Sequence, residues 1–443
     1  MNHSEVSALF DRLFPICRSI TGPGIRRSLE IFAEHMPMQI HGVPSGSKVF
    51  DWTVPQEWEL VGAEIKSLDG RTLVSTDTSN LHVLNFSAPF DGVVKREELF
   101  AHLFTHPTLP DAIPYVTSYY NERWGMCVSQ QQKDQLTDDA YHISIDTKKY
   151  DGELNYGEAV LPGETDETIL ITSYLCHPSM ANNELSGPLT ALLLYKLLAE
   201  RKSNRFTYRF VLLPETIGSI SYLAENKESL GKNLFGGIVL TCLGGPKEGV
   251  SFKLSRQDWT GSPSVMDIVA RNFALTNGEN YRLRTFTPTG GSDERQFCSP
   301  GINWPVVQIA RTVYGEYEQY HTSLDTKEFM GIDRLIDAAQ KVRHYVEVLE
   351  SADLRPECTL EGGEPQLGRR NLYPTLNSPV TRSMSSDRSQ DGRYVLNKLL
   401  ELYSLSDGTL NLAEIANKIE APLGDLIPIM RELERGEVIG FAK

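Results

Sequence analysis

Hydrophobic positions change their spacing several times along this chain. Leu9, Phe10, Leu13 and Phe14 recur at helical intervals, and residues 4–36 read as two helices around the turn Thr21-Gly22-Pro23-Gly24. Over 47–130 the apolar runs shorten. Val49–Pro55 and Leu81–Phe86 predict short strands separated by turns, a small β-rich unit ending near Tyr115, Tyr119, Tyr120 and Trp124. From 142 onward, apolar runs alternate with helical spacing. Strands are predicted over Glu167–Ser173, Tyr208–Leu213, Gly237–Cys242 and Asn303–Ile309. Between the first two lies a helix from Ser186 to about Ala199, apolar nearly all round, with Ser186 as N-cap and Pro188 in its first turn. A long helix over 332–352 closes this part. Alternation of this kind predicts an α/β fold, a mostly parallel sheet covered by helices.

The pattern then breaks. Residues 362–391 hold Gly362-Gly363, Pro374, Pro379 and a serine-rich run, which is linker composition. Residues 392–443 predict three short apolar-faced helices and a last strand, Val438–Phe441, an order that resembles a winged helix. The expected organisation is an α/β domain of 1–46 and 131–361, an inserted β-rich domain of 47–130, a linker of 362–391 and a winged-helix-like domain of 392–443.

Composition narrows the partners. A chain of 443 residues is too long for one core. Its net charge of -15 argues against a nucleic-acid backbone or an anionic membrane as main partner. No apolar run is long enough to span a membrane, and the start Met1-Asn2-His3-Ser4-Glu5 has no signal-peptide character. Six cysteines lie far apart with no CxxC pair, so free thiols in a reducing cytoplasm are expected. Homo-oligomerisation stays open.

Four segments place polar groups where strands stop: Cys176–Gly187, Pro214–Ser219, Gly290–Arg295 and Tyr320–Asp325. In an open α/β sheet that edge is the functional one. A lone His177 is most simply structural, and His321 is most simply a turn cap. Together with Glu184, however, they make a His2Glu set, a known arrangement for one catalytic zinc with an open position for water. Glu215 ends an apolar strand, where a carboxylate is costly unless it faces a cleft. It is the candidate general base, taking the proton of the zinc-bound water and passing it to the leaving amine. Asp293 or Glu294 is left as a fourth ligand, a partner of the ligands or an anchor for a substrate amine. Arg295 and Arg311 read first as salt-bridged groups, and as substrate clamps if they face the cleft. Tyr119 and Tyr120 read first as core, and as pocket wall if their segment returns to the cleft.

These segments resemble the zinc aminopeptidase and glutaminyl cyclase superfamily. More closely, the whole chain resembles a bacterial aminopeptidase-like family with an inserted β domain, matched here by Phe50-Asp51-Trp52-Thr53-Val54-Pro55-Gln56-Glu57-Trp58, and a C-terminal winged helix. The resemblance implies a zinc-exopeptidase-like core and a link to polysaccharide or natural-product biosynthesis. It also marks departures. Asn183 stands where two-zinc enzymes have a bridging Asp, Thr216 where they have a second Glu, and Thr241 near where they have another Asp. Asn and Thr are poor replacements for carboxylates on a divalent ion. One zinc per chain is therefore expected, on His177, Glu184 and His321, acting on an amide bond of a small peptide or aminoacyl conjugate. The alternative is a non-catalytic metal-binding or regulatory protein that uses its winged helix for assembly.

Overall fold

A computed structural model describes residues 1–373 and 392–442. They form two compact units. The first holds Met1–Val250, Thr287–Trp304 and Gln308–Gln340; the second holds Ser251–Phe286, Pro305–Val307 and the described residues from Lys341 onward. The predicted linker lies outside the described residues from 374 to 391.

The first unit begins with the two expected helices, His3–Leu13 and Pro23–Ala33. Asn2 caps the first through a reciprocal bond pair with Glu5, satisfying two N–H groups that the helix leaves open. Its large sheet runs in the order Gln39–Pro44, Glu153–Leu161, Thr207–Leu213, Thr168–Tyr174, Leu234–Leu240. The last three strands are parallel and the first two add on antiparallel. Every residue of Thr168–Tyr174 is buried, as a strand covered on both faces requires. The helix Ser186–Ala199 packs on it and is itself almost wholly buried, which explains an apolar surface all round. Gly187 permits that contact: a Cβ there would lie 2.2 Å from Ser173 Oγ and 2.5 Å from the Leu240 carbonyl oxygen.

A separate four-stranded antiparallel sheet runs Thr72–Ser75, Glu57–Lys66, Ala140–Tyr150, Phe90–Lys95. Ala140–Tyr150 pairs here and not in the α/β sheet. Leu81–Phe86 is not a strand. Asn80–His82 is a 3₁₀ turn started by Ser79, and Val83 and Asn85 make only isolated bridges. Its apolar residues Leu81, Val83, Leu84 and Phe86 are buried without a continuous partner strand.

In the second unit, the helix Val265–Thr276 carries a capping box between Ser264 and Asp267. Its Asn272 holds the C-terminal helices, donating to the Ala421 carbonyl at 2.9 Å and accepting from the Leu423 N–H at 2.8 Å. Those helices are Gly392–Ser404, Leu412–Lys418 and Leu423–Arg435. The strand Ile439–Phe441 follows and pairs antiparallel with Pro356–Cys358, completing the winged-helix order. No helix among the described residues is long and apolar enough to cross a membrane.

Candidate active site

The three parallel strands of the first unit end together at Tyr174, Leu213 and Leu240. Cys176-His177, Glu215 and Thr241-Cys242 therefore leave the same sheet edge. Glu184 sits in a single π-helical turn, Ala181–Leu185, before the buried helix. Such turns recur at functional sites because they re-aim one side chain. Asp325 ties this one down: its two carboxylate oxygens accept from the N–H groups of Asn182 (2.7 Å) and Asn183 (2.8 Å). Burial pushes Asp325 up to about 7 against those donors.

His177 has a carboxylate on each side of its ring. Nδ1 is 2.7 Å from Glu184 Oε2 and 3.5 Å from Cys176 Sγ, while Nε2 is 3.7 Å from Glu215 Oε2. Behind Glu184 lies Arg18, fully buried, with Nε 3.8 Å from Glu184 Oε1 and donating to the His177 carbonyl at 2.9 Å. Burial disfavours a charged His177, yet Cys176 and Glu184 together hold its pKa well above the usual imidazole value. Glu215 is steered by Ser292, whose hydroxyl donates to Oε1 at 2.6 Å. Burial raises the Glu215 pKa, and His177 opposes the rise. A carboxylate tuned upward is suited to proton transfer near neutral pH.

Cys176, His177, Glu215, His321, Tyr115 and Tyr119 share one cavity of about 300 Å³, whose mouth includes Tyr120 and Trp52. His321 stacks on Tyr320 with ring centroids 3.9 Å apart and stands 5.2 Å from the His177 ring. Its Nε2 is buried without a hydrogen-bond partner, and burial keeps the ring's pKa well below the usual value. The loop is pinned by the segment 113–115: Tyr115 N–H donates to the His321 carbonyl at 2.7 Å, and Ser323 bonds to Ile113 twice. Tyr115 and Tyr119 share a hydroxyl bond of 2.8 Å, and burial keeps both phenols protonated. Tyr119, Ser179, Thr216 and His321 all adopt positive φ values, from 34 to 62°. Non-glycine residues held there carry strain that clusters at functional sites.

The remaining predicted site residues lie off the cavity wall. Asp293 accepts from Thr216 N–H at 2.8 Å, so it braces the turn that carries Glu215. Glu294 accepts from Ser292 N–H and from Gln308 Nε2 at 2.8 Å. Arg295 turns back to the Ser292 carbonyl at 3.3 Å. Arg311 pairs with Asp337 and donates to the Lys247 carbonyl.

Two of the three departures from the two-zinc pattern, Asn183 and Thr241, meet a residue not singled out in the sequence. Tyr174 Oη bonds to the Asn183 carbonyl (2.6 Å), to Thr241 Oγ1 (2.6 Å) and to Asn183 Oδ1 (3.3 Å). A phenol thus closes the space between Asn183 and Thr241 with neutral hydrogen bonds. The other side of the site suits an ion. Donor atoms of Cys176, His177 and Glu184, all buried, lie within 4.8 Å of one another. Thiolate, imidazole and carboxylate are the ligand types of zinc. Glu184 Oε1 has no hydrogen-bond partner. His321 is not in that group. Cys176 was read from the sequence only as a free thiol; its place next to His177, at the end of a strand, was the available signal.

Comparison with known proteins follows the same lines. A family model described as a domain of unknown function (DUF4910) matches residues 7–352, and a winged helix-turn-helix model matches residues 355–440. A Clostridium acetobutylicum protein, provisionally named for polysaccharide biosynthesis with an aminopeptidase-like domain, is 39% identical over 94% of this chain and 91% of its own. A crystal structure from the same organism, provisionally named a peptidase, is 36% identical, with a TM-score of 0.88 over 99% of this chain and 96% of its own. A zinc aminopeptidase from Bacillus subtilis shares the fold at 15% identity, with a TM-score of 0.55 over 78% of this chain and 93% of its own. The chain belongs to the DUF4910 family, aminopeptidase-like proteins with the zinc aminopeptidase fold, and carries a C-terminal winged helix-turn-helix domain.

Proposed function

We propose that the chain is a zinc-dependent hydrolase that cleaves an amide bond of a small peptide or aminoacyl conjugate. The observation that carries this reading is Glu215, a cavity-lining carboxylate with a raised pKa, beside the buried Cys176–His177–Glu184 group. Those three residues would hold one zinc, which when bound supplies a Lewis acid and acidifies water. Glu215 takes the proton of the attacking water and returns it to the leaving nitrogen. Ser292 keeps Oε1 occupied, so Oε2 is the oxygen that faces His177. In the Tyr115–Tyr119 pair one hydroxyl proton is used internally and the other is free for a substrate carbonyl. His321, expected from the sequence as the third ligand, supplies a neutral imidazole to the same cavity. The free cysteines support a cytoplasmic setting. The provisional name of the Clostridium relative supports a substrate from polysaccharide synthesis.

The test is metal content with activity. Purified protein should carry one zinc per chain and release amine from some member of a dipeptide and aminoacyl-anilide panel. Cys176→Ser, His177→Ala and Glu184→Gln should each lose the zinc, and His321→Ala should keep it. Two zinc ions per chain, or zinc lost only in the His321 variant, would redraw the site. The non-catalytic alternative is favoured by one observation, the replacement of acidic positions by Asn183 and Thr241 around Tyr174. Metal without turnover of any amide would support it.

A further inference from the structure

A second cavity, of about 340 Å³, opens beside the first, and Trp52 lines both. Two of its walls continue the segments that carry the acids. The helix Ile217–Leu230 starts two residues after Glu215. Ile217 lines the inner cavity, while Ile220, Leu223 and Lys227 line the outer one. At about 1.5 Å of rise per residue, the outer cavity covers roughly 5–15 Å of that helix beyond its first residue. Gln296 and Ser299 extend the Asp293-Glu294 segment in the same direction. The third wall is the tip of the hairpin formed by Lys48–Val49 and Trp52–Thr53.

That tip displays aromatic rings. Phe50 is 51% exposed and Trp52 39%. Tyr120 meets Trp52 edge-on at 5.7 Å and donates its hydroxyl to the Thr53 carbonyl at 3.2 Å, which fixes the indole. Rigid exposed rings lining a cavity mark a binding surface. The floor is apolar, with Ile220 and Leu223 nearly buried, and the rim is polar, with Asp51, Lys227 and Gln296. Lys227 lies over the Phe50 ring at 5.3 Å. An alkyl chain would strip water from Asp51 and Lys227 and return no hydrogen bond. A pyranose satisfies both surfaces: its C–H face lies against an aromatic ring, and its hydroxyls reach the rim.

We infer that the outer cavity binds a pyranose ring, so that the substrate is an amino sugar acylated by an amino acid, its amide beside Glu215 and its ring against Trp52. This rests on the amide-hydrolase reading of the inner cavity. Water adds to the amide carbonyl, the C–N bond breaks, the sugar amine leaves with a proton delivered by Glu215, and the amino acid leaves as its carboxylate. The reaction that supplies the substrate is then the acylation of an amino sugar.

The experiment is saturation-transfer NMR on the full chain, with glucosamine, N-acetylglucosamine and methyl glucoside as probes and hexylamine as control. At least one pyranose should show saturation of its ring protons. That signal should fall at least tenfold in Trp52→Ala and in Phe50→Ala, two exposed positions whose variants are checked for folding by circular dichroism. Absence of any pyranose signal, a signal unchanged in both variants, or hexylamine displacing the sugars would overturn the inference. A chain that hydrolyses aminoacyl anilides but binds no pyranose overturns it alone. A chain that binds a pyranose at Trp52 but leaves aminoacyl glucosamine and every anilide intact overturns the hydrolase reading, and with it the proposed substrate.

Discussion

The strand Thr168–Tyr174 ends between two polar clusters of opposite character. On one side Tyr174, Asn183 and Thr241 form a neutral cluster in which the phenol has two short hydrogen bonds and a longer contact. On the other side Arg18, Cys176, His177, Glu184 and Glu215 form a charged one. There, Arg18 Nη2 and Glu184 Oε1 are buried without hydrogen-bond partners. Buried polar groups are normally paired, because an unmet one costs ~1–3 kcal/mol. The neutral cluster obeys that rule. The charged cluster breaks it beside Cys176, His177 and Glu215, which line the cavity, and rules of this kind are broken mostly at functional sites. The zinc aminopeptidase fold has thus been kept with one half of its polar edge closed and the other open.

The strongest way to break this contrast is to silence the open side. Glu215→Gln should leave the fold and the metal in place and lower amide hydrolysis by roughly 10²–10⁴, the usual size of a general-base contribution. Steady-state rates with the best panel substrate measure it, and normal turnover in the Gln variant would remove Glu215 from the mechanism. The closed side can be challenged next. Asn183→Asp with Thr241→Asp should not raise zinc above one per chain while Tyr174 is present, because the phenol occupies the space between them. A second equivalent by elemental analysis would show that the cluster is an ion site after all.

A smaller effect tests the closed cluster as structure. Tyr174→Phe removes one hydroxyl and leaves Thr241 and Asn183 short of a partner, so it should cost ~1–3 kcal/mol in urea unfolding with zinc content unchanged. The smallest effect is expected in the second unit. In the helix Leu423–Arg435, Arg431 pairs with Glu434 and Arg435 with Glu432. From 391 to 443 the sequence holds nine acids and six bases, a net of -3. A duplex reader needs unpaired cations facing phosphates. The full chain should therefore show no specific duplex binding by anisotropy at low salt; sub-micromolar binding would promote the regulatory alternative.

Part of the site was legible because it is local. His177 and Glu215 could be found as polar residues that directly follow apolar strands, and Glu184 as an acid in the following turn. Arg18 and Ser292 could not. They reach the site across 159 and 77 residues of sequence; nothing local announces Arg18, and the segment Gly290–Arg295 stood out for its acids without revealing that Ser292 bonds Glu215. The same distinction holds for Arg311. Its pairing with Asp337 and its bond to Lys247 follow from loop packing, so only the fold could decide between clamp and salt bridge.

By itself the sequence determined where the main strands and helices of the α/β sheet lie, because apolar spacing registers burial at each position. The buried helix Ser186–Ala199 and the strands Thr168–Tyr174 and Thr207–Leu213 were predicted nearly to the residue. Leu81–Phe86 failed because the segment is buried throughout without a continuous partner to pair with. Only the tertiary structure decided that Tyr174 fills the space between Asn183 and Thr241, that Cys176 joins His177 and Glu184, and that Trp52 stands at the mouth of the cavity. The first and last of these join separate segments, while the Cys176 group is gathered within one segment by the π-helical turn Ala181–Leu185. Periodicity tells a residue which way to face, while the neighbour it meets depends on how distant strands and loops close around it.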